Sequence, residues 1–280
     1  MKTLADNMKI KNIETENYFD INSLLNNGKK IVTFMGASKS GTSFVLNNVA
    51  QILSRRGINV GILVATTNRN SYYKYTKNEE GLRKIAYSCI EGLAQGECKG
   101  IEVNDNLTVY TTIPGEQKAL NEVEPILEAL LKKHSIILID CDFSTPIKYF
   151  EFATEIFLVQ TMEVLTIQPL TEFLSELKNK GLLIESKLRI IINKYVDING
   201  ISEKEIIGGM GFYNEPSMSY MQQLFNKNSV KYIKIPFDQQ VYEKYLQSVA
   251  NCDIDLDGYP NEFIALLDKL CKEISLGIQA

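Results

Sequence analysis

The stretch that decides the fold is KKIVTFMGASKSGTSFVLNNVA, which runs from Lys29 to Ala50. Residues 31–36 are apolar apart from Thr33, and a short apolar run of this kind is typical of a buried β-strand. The last part places apolar residues three to four positions apart, which predicts an amphipathic helix beginning near Thr42. Between the two lies GASKSGTS, residues 36–43. The stretch therefore predicts a strand, a tight loop and a helix in direct succession.

The loop satisfies most of the phosphate-binding pattern G-x-x-x-x-G-K-[ST], with Gly36, Gly41 and a hydroxyl at Ser43. A loop that opens onto a helix N-terminus points backbone N–H groups at one spot and attracts anions there. The position of the phosphate-binding lysine is occupied by Thr42, and Lys39 inside the loop is the candidate for a partial replacement. The octet alone leaves two alternatives open, a phosphate site or a simple turn rich in serine and glycine.

A second feature is the apolar strand IILI, residues 136–139, followed by Asp140. A carboxylate at this place matches the group that holds Mg²⁺ or its water in P-loop enzymes, and Ser43 would be the hydroxyl ligand. The alternative is an aspartate that caps a loop. Asp142 is a weaker further candidate. The predicted metal ligands are Ser43 and Asp140.

Strands alternate with helices along the whole chain, and several strands are continuous apolar runs. This pattern predicts one doubly wound, mostly parallel α/β sheet of seven or eight strands with helices on both faces. The predicted strands are 30–35, 59–65, 106–113, 136–139, 155–160, 188–192 and 231–235. The predicted helices are 42–56, 82–93, 123–131, 165–180, 202–207, 238–247 and 261–274. We expect an N-terminal arm, 1–28, and one domain, 29–280.

The composition is that of a cytoplasmic protein in a reducing compartment. The net charge of −4 gives no support for bulk attraction to nucleic acid or anionic lipid. The N-terminus lacks the apolar core of a signal peptide, and no run approaches the roughly 18 apolar residues of a membrane span. The five cysteines form no C-x-x-C pair. The single histidine, His134, follows two lysines before a strand and is predicted to end a helix.

Three further segments each allow two interpretations. Residues 72–77 combine tyrosines and lysines as a nucleic-acid patch would, but two glutamates follow, which favours an ordered surface loop. Residues 263–278 resemble a membrane-binding amphipathic helix, but its lysines are offset by acidic residues, which favours packing on the sheet. Residues 210–221 are apolar and contain glycine, which fits an interface or core.

The order of motifs along the chain resembles that of the MinD/ParA family of P-loop proteins, of the SIMIBI class, from about Lys29 to Ile274. No single motif is specific, but their order and spacing together are. The matching motifs after the loop are FVLNNVAQILSRRGINVGILVA at 44–65, NLTVYTTIPG at 106–115, HSIILIDCD at 134–142, ATEIFLVQTME at 153–163, LRIIINKY at 188–195 and IPFDQQVYEKY at 235–245.

The resemblance implies a site for ATP and Mg²⁺ and a homodimer in which two ATP-bound protomers pack face to face. The loop would hold the phosphates, Asn193 would read the adenine edge, and the backbone from Pro236 to Asp238 would line the base. The implied nucleotide-binding residues are Gly36, Ala37, Ser38, Lys39, Ser40, Gly41, Thr42, Ser43, Asn193, Lys194, Pro236 and Asp238.

The chain departs from the family at charged positions. The signature lysine of the family is Ala37 here, its ordinary P-loop lysine is Thr42, and the acidic residues after the second strand are replaced by Ala65 and Thr67. Losing oriented charges at a phosphoryl site predicts weak or absent ATPase activity. The ending Gly-Thr-Ser resembles the atypical loop of the TadZ/CpaE branch, whose N-terminal receiver-like domain has no counterpart in the first 28 residues.

Three functions follow as alternatives. The first is an ATP-binding, dimer-forming positioning protein with a degenerate site, recruiting pilus, secretion, conjugation or partition machinery. The second is a slow partition ATPase that binds DNA non-specifically. The third is a scaffold that has lost nucleotide. In each case we expect a cytoplasmic protein recruited to a pole, a membrane complex or the nucleoid, rather than one that binds the membrane itself.

Overall fold

A single sheet holds all eight strands of the computed structural model, in the order β3-β4-β2-β5-β1-β6-β7-β8. The structure describes residues 20–66, 74–75, 77–97, 99–111, 118–163, 167–200, 203–207 and 230–278. The strands are β1 Lys30–Gly36, β2 Val60–Val64, β3 Ile101–Asn104, β4 Leu107–Tyr110, β5 Ile136–Cys141, β6 Glu155–Gln160, β7 Leu188–Tyr195 and β8 Lys231–Pro236. Among the strands in these ranges, only the pairing of β3 with β4 is antiparallel.

Helices follow most of the strands in the described ranges. They are α1 Ile21–Asn26, α2 Thr42–Arg55, α3 Glu79–Ala94, α4 Val123–Lys133, α5 Lys148–Phe152, α6 Ile167–Asn179, α7 Glu203–Ile207, α8 Gln239–Ala250 and α9 Asn261–Ser275. Short 3-10 turns lie at Lys118–Asn121 and Glu185–Lys187. The predicted fold class, a doubly wound and mostly parallel α/β sheet, is confirmed.

Two apolar layers cover the sheet, one on each face. Along β1, Ile31 and Met35 face the layer that contains α4 and α6, whereas Val32 and Phe34 face the layer that contains α2 and α9. Side chains alternate between faces along a strand, so a strand buried on both sides has to be apolar throughout. Phe34 stacks on Phe157 of β6 with ring centroids 5.0 Å apart. This double burial fixes β1 in the centre of the sheet.

The parallel strands β1, β5, β6, β7 and β8 bring their carboxyl ends to one edge of the sheet. In doubly wound sheets, ligands bind outside this edge. Gly36, Gln160 and Pro236 end their strands, and Asp140 and Asn193 lie within two residues of the ends of β5 and β7. The predicted site residues therefore converge on a single edge.

Several predicted boundaries were wrong. Asp140 lies within β5 rather than after it, because β5 stays paired with β1 through Cys141. Asn193 and Lys194 lie within β7, at an irregularity after which pairing with β8 resumes at Tyr195. The strand predicted at 106–113 ends at Tyr110, and residues 112–117 lie outside the described ranges. Helix α3 begins at Glu79, three residues before the predicted start at residue 82. The sequence did not predict β3 or α5.

Some predictions concern residues that the structure does not describe. They are the arm before residue 20, Thr67, Tyr72 and Tyr73, Pro114 and Gly115, Ser202, and the segment 210–221. Tyr75, from the tyrosine-rich segment, is buried, and its hydroxyl donates a hydrogen bond of 2.6 Å to Oδ1 of Asn47. Tyr75 is therefore an internal contact and is not available to stack on nucleic acid.

His134 caps the C-terminus of α4, as predicted, and is buried. The hydroxyl of Tyr110 lies 2.7 Å from its Nε2, and Oδ1 of Asn59 lies 2.5 Å from its Nδ1. Asn59 uses its Nδ2 to donate to the carbonyl of Lys133, so its Oδ1 accepts from Nδ1–H of a neutral imidazole. Burial, with Lys133 and Lys29 adding to it, lowers the pKa of His134 to about 3.

The segment 263–278 was predicted to pack on the sheet; helix α9 packs on α2, and its buried face joins the apolar layer on that side of the sheet. The buried side chains are Phe263, Leu267, Leu270, Cys271 and Ile274. Among the described helices, none combines the length and the apolar character that a membrane crossing requires.

Candidate nucleotide-binding site

The loop between β1 and α2 turns through left-handed backbone at two residues. Lys39 has φ 67°, and Gly41, the N-cap residue of α2, has φ 89°. The amide of Ser40 donates to the carbonyl of Ala37 at 3.1 Å, which closes the turn. Because Gly41 has no side chain, it offers no group to cap α2, and the first N–H groups of the helix face the space above the loop. This arrangement suits an anion.

The underside of the loop is packed so tightly that only glycine fits at position 36. A Cβ on Gly36 would lie 2.4 Å from the carbonyl oxygen of Val159 and 2.5 Å from both Oγ of Ser40 and Oγ1 of Thr42. These two hydroxyls are 3.0 Å apart, and Thr42 is only 1% exposed. Thr42 thus turns inward against Ser40, and the position of the usual lysine brings no charge to the ligand face of the loop.

Two consecutive residues of β7 donate hydrogen bonds to backbone carbonyls of the loop. Nδ2 of Asn193 donates to the carbonyl of Ser40 at 2.8 Å, and Nζ of Lys194 donates to the carbonyl of Lys39 at 3.2 Å. A Cβ on Gly41 would come within 2.2 Å of Nδ2 of Asn193. The second glycine of the loop is therefore required both by its φ angle and by this close approach.

Ser43 and Asp140 meet beneath the start of α2. Oγ of Ser43 donates a hydrogen bond of 2.6 Å to Oδ2 of Asp140, which is 1% exposed. A hydroxyl and a carboxylate are hard oxygen donors, and Mg²⁺ prefers a few such ligands with the remainder from water and phosphate. This donor pair fits Mg²⁺, which when bound would neutralise phosphate charge at this spot.

Asp142, the weaker metal candidate, is engaged in a turn instead. Its Oδ1 accepts from the amide of Ser144 at 2.8 Å, and its own amide donates to Oγ1 of Thr145 at 2.9 Å. Thr145 in turn donates to the carbonyl of Ala65 at 3.0 Å, which ties the end of β2 to the segment after β5. Asp142 therefore stabilises the turn that follows β5.

A pocket of about 130 Å³ opens beside the loop. Its wall combines the loop, the end of β7, the segment after β8 and helices α8 and α9, and consists of Gly41, Phe44, Asn193, Lys194, Pro236, Phe237, Asp238, Val241, Tyr242, Tyr245 and Phe263. The rings of Phe44 and Tyr245 meet edge to face with centroids 4.9 Å apart. Burial raises the pKa of Tyr245 to about 12, so its hydroxyl stays neutral. Such a wall fits a flat heterocycle.

Asp238, which the resemblance placed near the base, has a second role. Its Oδ1 accepts from the amide of Val241 at 2.9 Å and so caps the N-terminus of α8. The cap holds the segment from Pro236 to Asp238 at the mouth of the pocket. The carboxylate of Asp238 therefore already accepts a hydrogen bond from the backbone of α8.

The structure brings the predicted residues of the loop, β7 and the β8–α8 segment together along one groove. Sequence reasoning missed the aromatic wall, namely Phe44, Phe237, Tyr242, Tyr245 and Phe263. Part of the signal was present, since Val241 and Tyr245 are four residues apart and so share one face of α8. The meeting of α8 with Phe44 is tertiary and has no local signature.

No family model matches the sequence, and no curated protein matches it either. Solved structures do match. A ParA family ATPase from Chlorobium tepidum TLS is similar over 89% of this chain and 99% of its own, with 16% identity and a TM-score of 0.59. A protein described as a plasmid partition protein, from Borrelia burgdorferi B31 and bound to AMPPNP, covers 89% and 98% with 17% identity and a TM-score of 0.60.

The MinC:MinD cell division protein complex of Aquifex aeolicus is similar over 90% of this chain and 98% of the matched chain, with 15% identity and a TM-score of 0.54. The chain has the MinD/ParA fold. Within the MinD/ParA fold, the described groove lies at the carboxyl edge of the sheet, where Gly36 ends β1 and Asn193 lies near the end of β7. At these identities the likeness concerns the fold alone.

Proposed function

We propose that this protein binds ATP with Mg²⁺ and acts as a dimer-forming positioning protein of the MinD/ParA type. The observation that carries the proposal is the continuity of the groove. The aromatic pocket, the anion-binding loop and the Ser43–Asp140 pair follow one another, and Gly41 belongs to both pocket and loop. A ring in the pocket would direct a phosphate chain along the loop toward the metal ligands.

The same geometry supports a site in which chemistry is reduced. Thr42 is neutral and turned against Ser40, and Ala37 stands where the family places its signature lysine. Removing an oriented charge from a phosphoryl-transfer site costs orders of magnitude in rate. We therefore propose that nucleotide state sets assembly and that hydrolysis is slow or absent.

The proposed role is recruitment of a partner complex, such as pilus, secretion, conjugation or partition machinery, by a cytoplasmic homodimer. Support comes from the relatives of similar fold, one of which is bound to AMPPNP and another of which is in complex with MinC. The residues present fit this role. The loop and the Ser43–Asp140 pair, which would hold a ligand, are kept, whereas the lysines that would support hydrolysis are replaced by Ala37 and Thr42.

A combined assay of phosphate release and oligomeric state tests the proposal. We expect Mg-ATP to convert the protein to a dimer in size-exclusion chromatography, with phosphate release close to background. Steady turnover that Asp140→Ala abolishes, with salt-sensitive DNA binding, would favour the slow partition ATPase instead. Failure of Mg-ATP to bind would favour the scaffold without nucleotide.

A further inference from the structure

A nucleoside triphosphate carries several negative charges, and the described loop presents them with neutral hydroxyls. Ser40 and Thr42 pair with each other on its underside. The nearby carboxylate of Asp140 adds negative charge. Besides the Mg²⁺ proposed at Ser43 and Asp140, a side-chain cation would help such a site to hold a triphosphate more tightly than a nucleoside.

We propose that Lys194 of β7 supplies the cation that a P-loop otherwise takes from the lysine at position 42, and so anchors the phosphates. This inference rests on the proposed function, since it names the group that selects for phosphate at the same site. Its basis is the contact of 3.2 Å between Nζ of Lys194 and the carbonyl of Lys39, which places the ammonium on the loop itself.

The position of Lys194 in the groove supports the assignment. Lys194 lines the pocket together with Gly41, and its ammonium reaches from that wall to the loop. A ligand whose ring enters the pocket and whose phosphates reach Ser43 has to pass this point. The left-handed backbone of Lys194, φ 53°, turns its side chain out of the regular course of β7.

The chemistry of an ammonium allows both contacts at once. Lysine has three N–H donors, so Lys194 can keep the carbonyl of Lys39 and still donate to phosphate oxygens. Hydrogen bonds from an ammonium to an anionic oxygen are stronger than those to a neutral carbonyl. Because the flexible stem is already tethered to the loop, less side-chain entropy is lost when phosphate binds.

Lys39 is the competing source of charge and provides a matched control. Both lysines are exposed and both occupy left-handed backbone, with φ 67° for Lys39 and 53° for Lys194. The same substitution at the two positions therefore removes one charge near the loop at a similar backbone cost. The contact between them uses the carbonyl of Lys39 and the ammonium of Lys194.

The test measures dissociation constants of ATP and of adenosine, by calorimetry, for the wild type, Lys194→Met and Lys39→Met. A hydrogen bond to a charged group is worth enough that we expect Lys194→Met to weaken ATP binding about 10- to 100-fold. Adenosine affinity should stay within about twofold, since methionine keeps the apolar stem that Lys194 contributes to the pocket wall. Lys39→Met tests the competing source of charge and should weaken ATP binding clearly less than Lys194→Met does, because Lys39 does not belong to the described pocket wall.

Two more variants guard against a merely structural effect. Lys194→Arg keeps the charge and should retain ATP affinity within about fivefold. Thr42→Lys in the Lys194→Met background should restore part of the lost ATP affinity. An equal loss of ATP and adenosine in Lys194→Met would overturn the inference, because Lys194 would then only shape the loop. A selective loss in Lys39→Met alone would also overturn it. If the wild type binds ATP no more tightly than adenosine, no phosphate anchor is present and the inference fails. If the wild type binds neither ligand, the proposed function itself fails.

Discussion

Oγ of Ser43 and Oδ2 of Asp140 lie 2.6 Å apart although 97 positions separate them in the sequence. One residue opens α2 and the other lies near the carboxyl end of β5, next to β1 in the sheet. The parallel pairing of β1 with β5 is what joins them. The proposed Mg²⁺ site is thus a product of topology, because each proposed ligand lies on a different element of the fold.

The first prediction concerns Mg²⁺. Asp140→Asn keeps the shape of the side chain but removes its charge, so the gain in ATP affinity that Mg²⁺ confers should fall at least about tenfold. Titrations of ATP in Mg²⁺ and in EDTA measure this gain. Asp142→Asn is the control, because an amide oxygen can still accept from Ser144, and it should keep the gain. Loss of the gain in Asp142→Asn but not in Asp140→Asn would show that Asp142, and not Asp140, holds the metal.

The second prediction concerns the crowding at Gly41. Gly41→Ala combines a φ of 89° with a Cβ that would lie 2.2 Å from Nδ2 of Asn193, so both ATP affinity and the free energy of unfolding should fall. Gly57→Ala shares the strain, with φ 79°, but its Cβ meets open space within 4 Å of the described residues. Strain alone costs about 1 kcal/mol.

Urea unfolding of the two variants separates strain from crowding. We expect Gly41→Ala to lose clearly more stability than Gly57→Ala, and the addition of Asn193→Ala to recover part of that difference. Equal losses in the two single variants would show that Asn193 does not press on the loop.

The third prediction is a pH dependence from His134. Its pKa of about 3 in the folded protein lies below the ordinary value of about 6.5, so the unfolded chain takes up the proton first. Its contribution to stability is therefore present above about pH 6.5 and is lost as the pH falls from there toward 3. From about pH 7.5 to about pH 5, wild type should lose about 2 kcal/mol more than His134→Gln. Parallel curves for the two proteins from chemical unfolding would contradict the buried neutral imidazole.

The fourth prediction separates the pocket from the surface around it. Tyr242 and Leu246 lie four residues apart on α8 with similar exposure, 46% and 48%, but only Tyr242 belongs to the described pocket wall. Tyr242→Ala should weaken adenosine binding by about 2- to 12-fold through lost stacking, a contact worth about 0.5–1.5 kcal/mol. Leu246→Ala should leave it unchanged. Both should keep their unfolding free energy, since both side chains are half exposed. Calorimetric titration with adenosine compares the two variants. Equal losses of adenosine affinity would contradict binding of the ring in this pocket.

The parts of this fold that sequence predicts are those with local signatures. Residues 31–36, apart from Thr33, and residues 136–139 are apolar because both faces of the sheet are covered. The glycine spacing of the loop reflects backbone needs at Gly36 and Gly41. Strand β3 escaped prediction because it is a four-residue edge strand in which Ile101 is buried and the others are not. Edge strands carry weak patterns.

The parts of the site that sequence did not predict depend on contacts between distant segments. The side chain of Thr42 can turn inward because Gly36 has no Cβ to occupy that space. The hydrogen bonds from Asn193 and Lys194 to the loop carbonyls depend on how far β7 extends. The aromatic wall needs α8 to lie beside Phe44. None of these relations is visible in the spacing of residues along the chain.

A calorimetric titration of the wild-type protein with ATP in the presence of Mg²⁺ tests the central claim most directly. The account predicts saturable binding of one ATP per chain, weakened in Gly41→Ala. Anything that binds the native state also raises the unfolding temperature, so stabilisation should accompany the heat of binding. No saturable heat and no stabilisation at roughly millimolar ATP, where mass action requires them, would contradict a nucleotide site at this edge of the sheet.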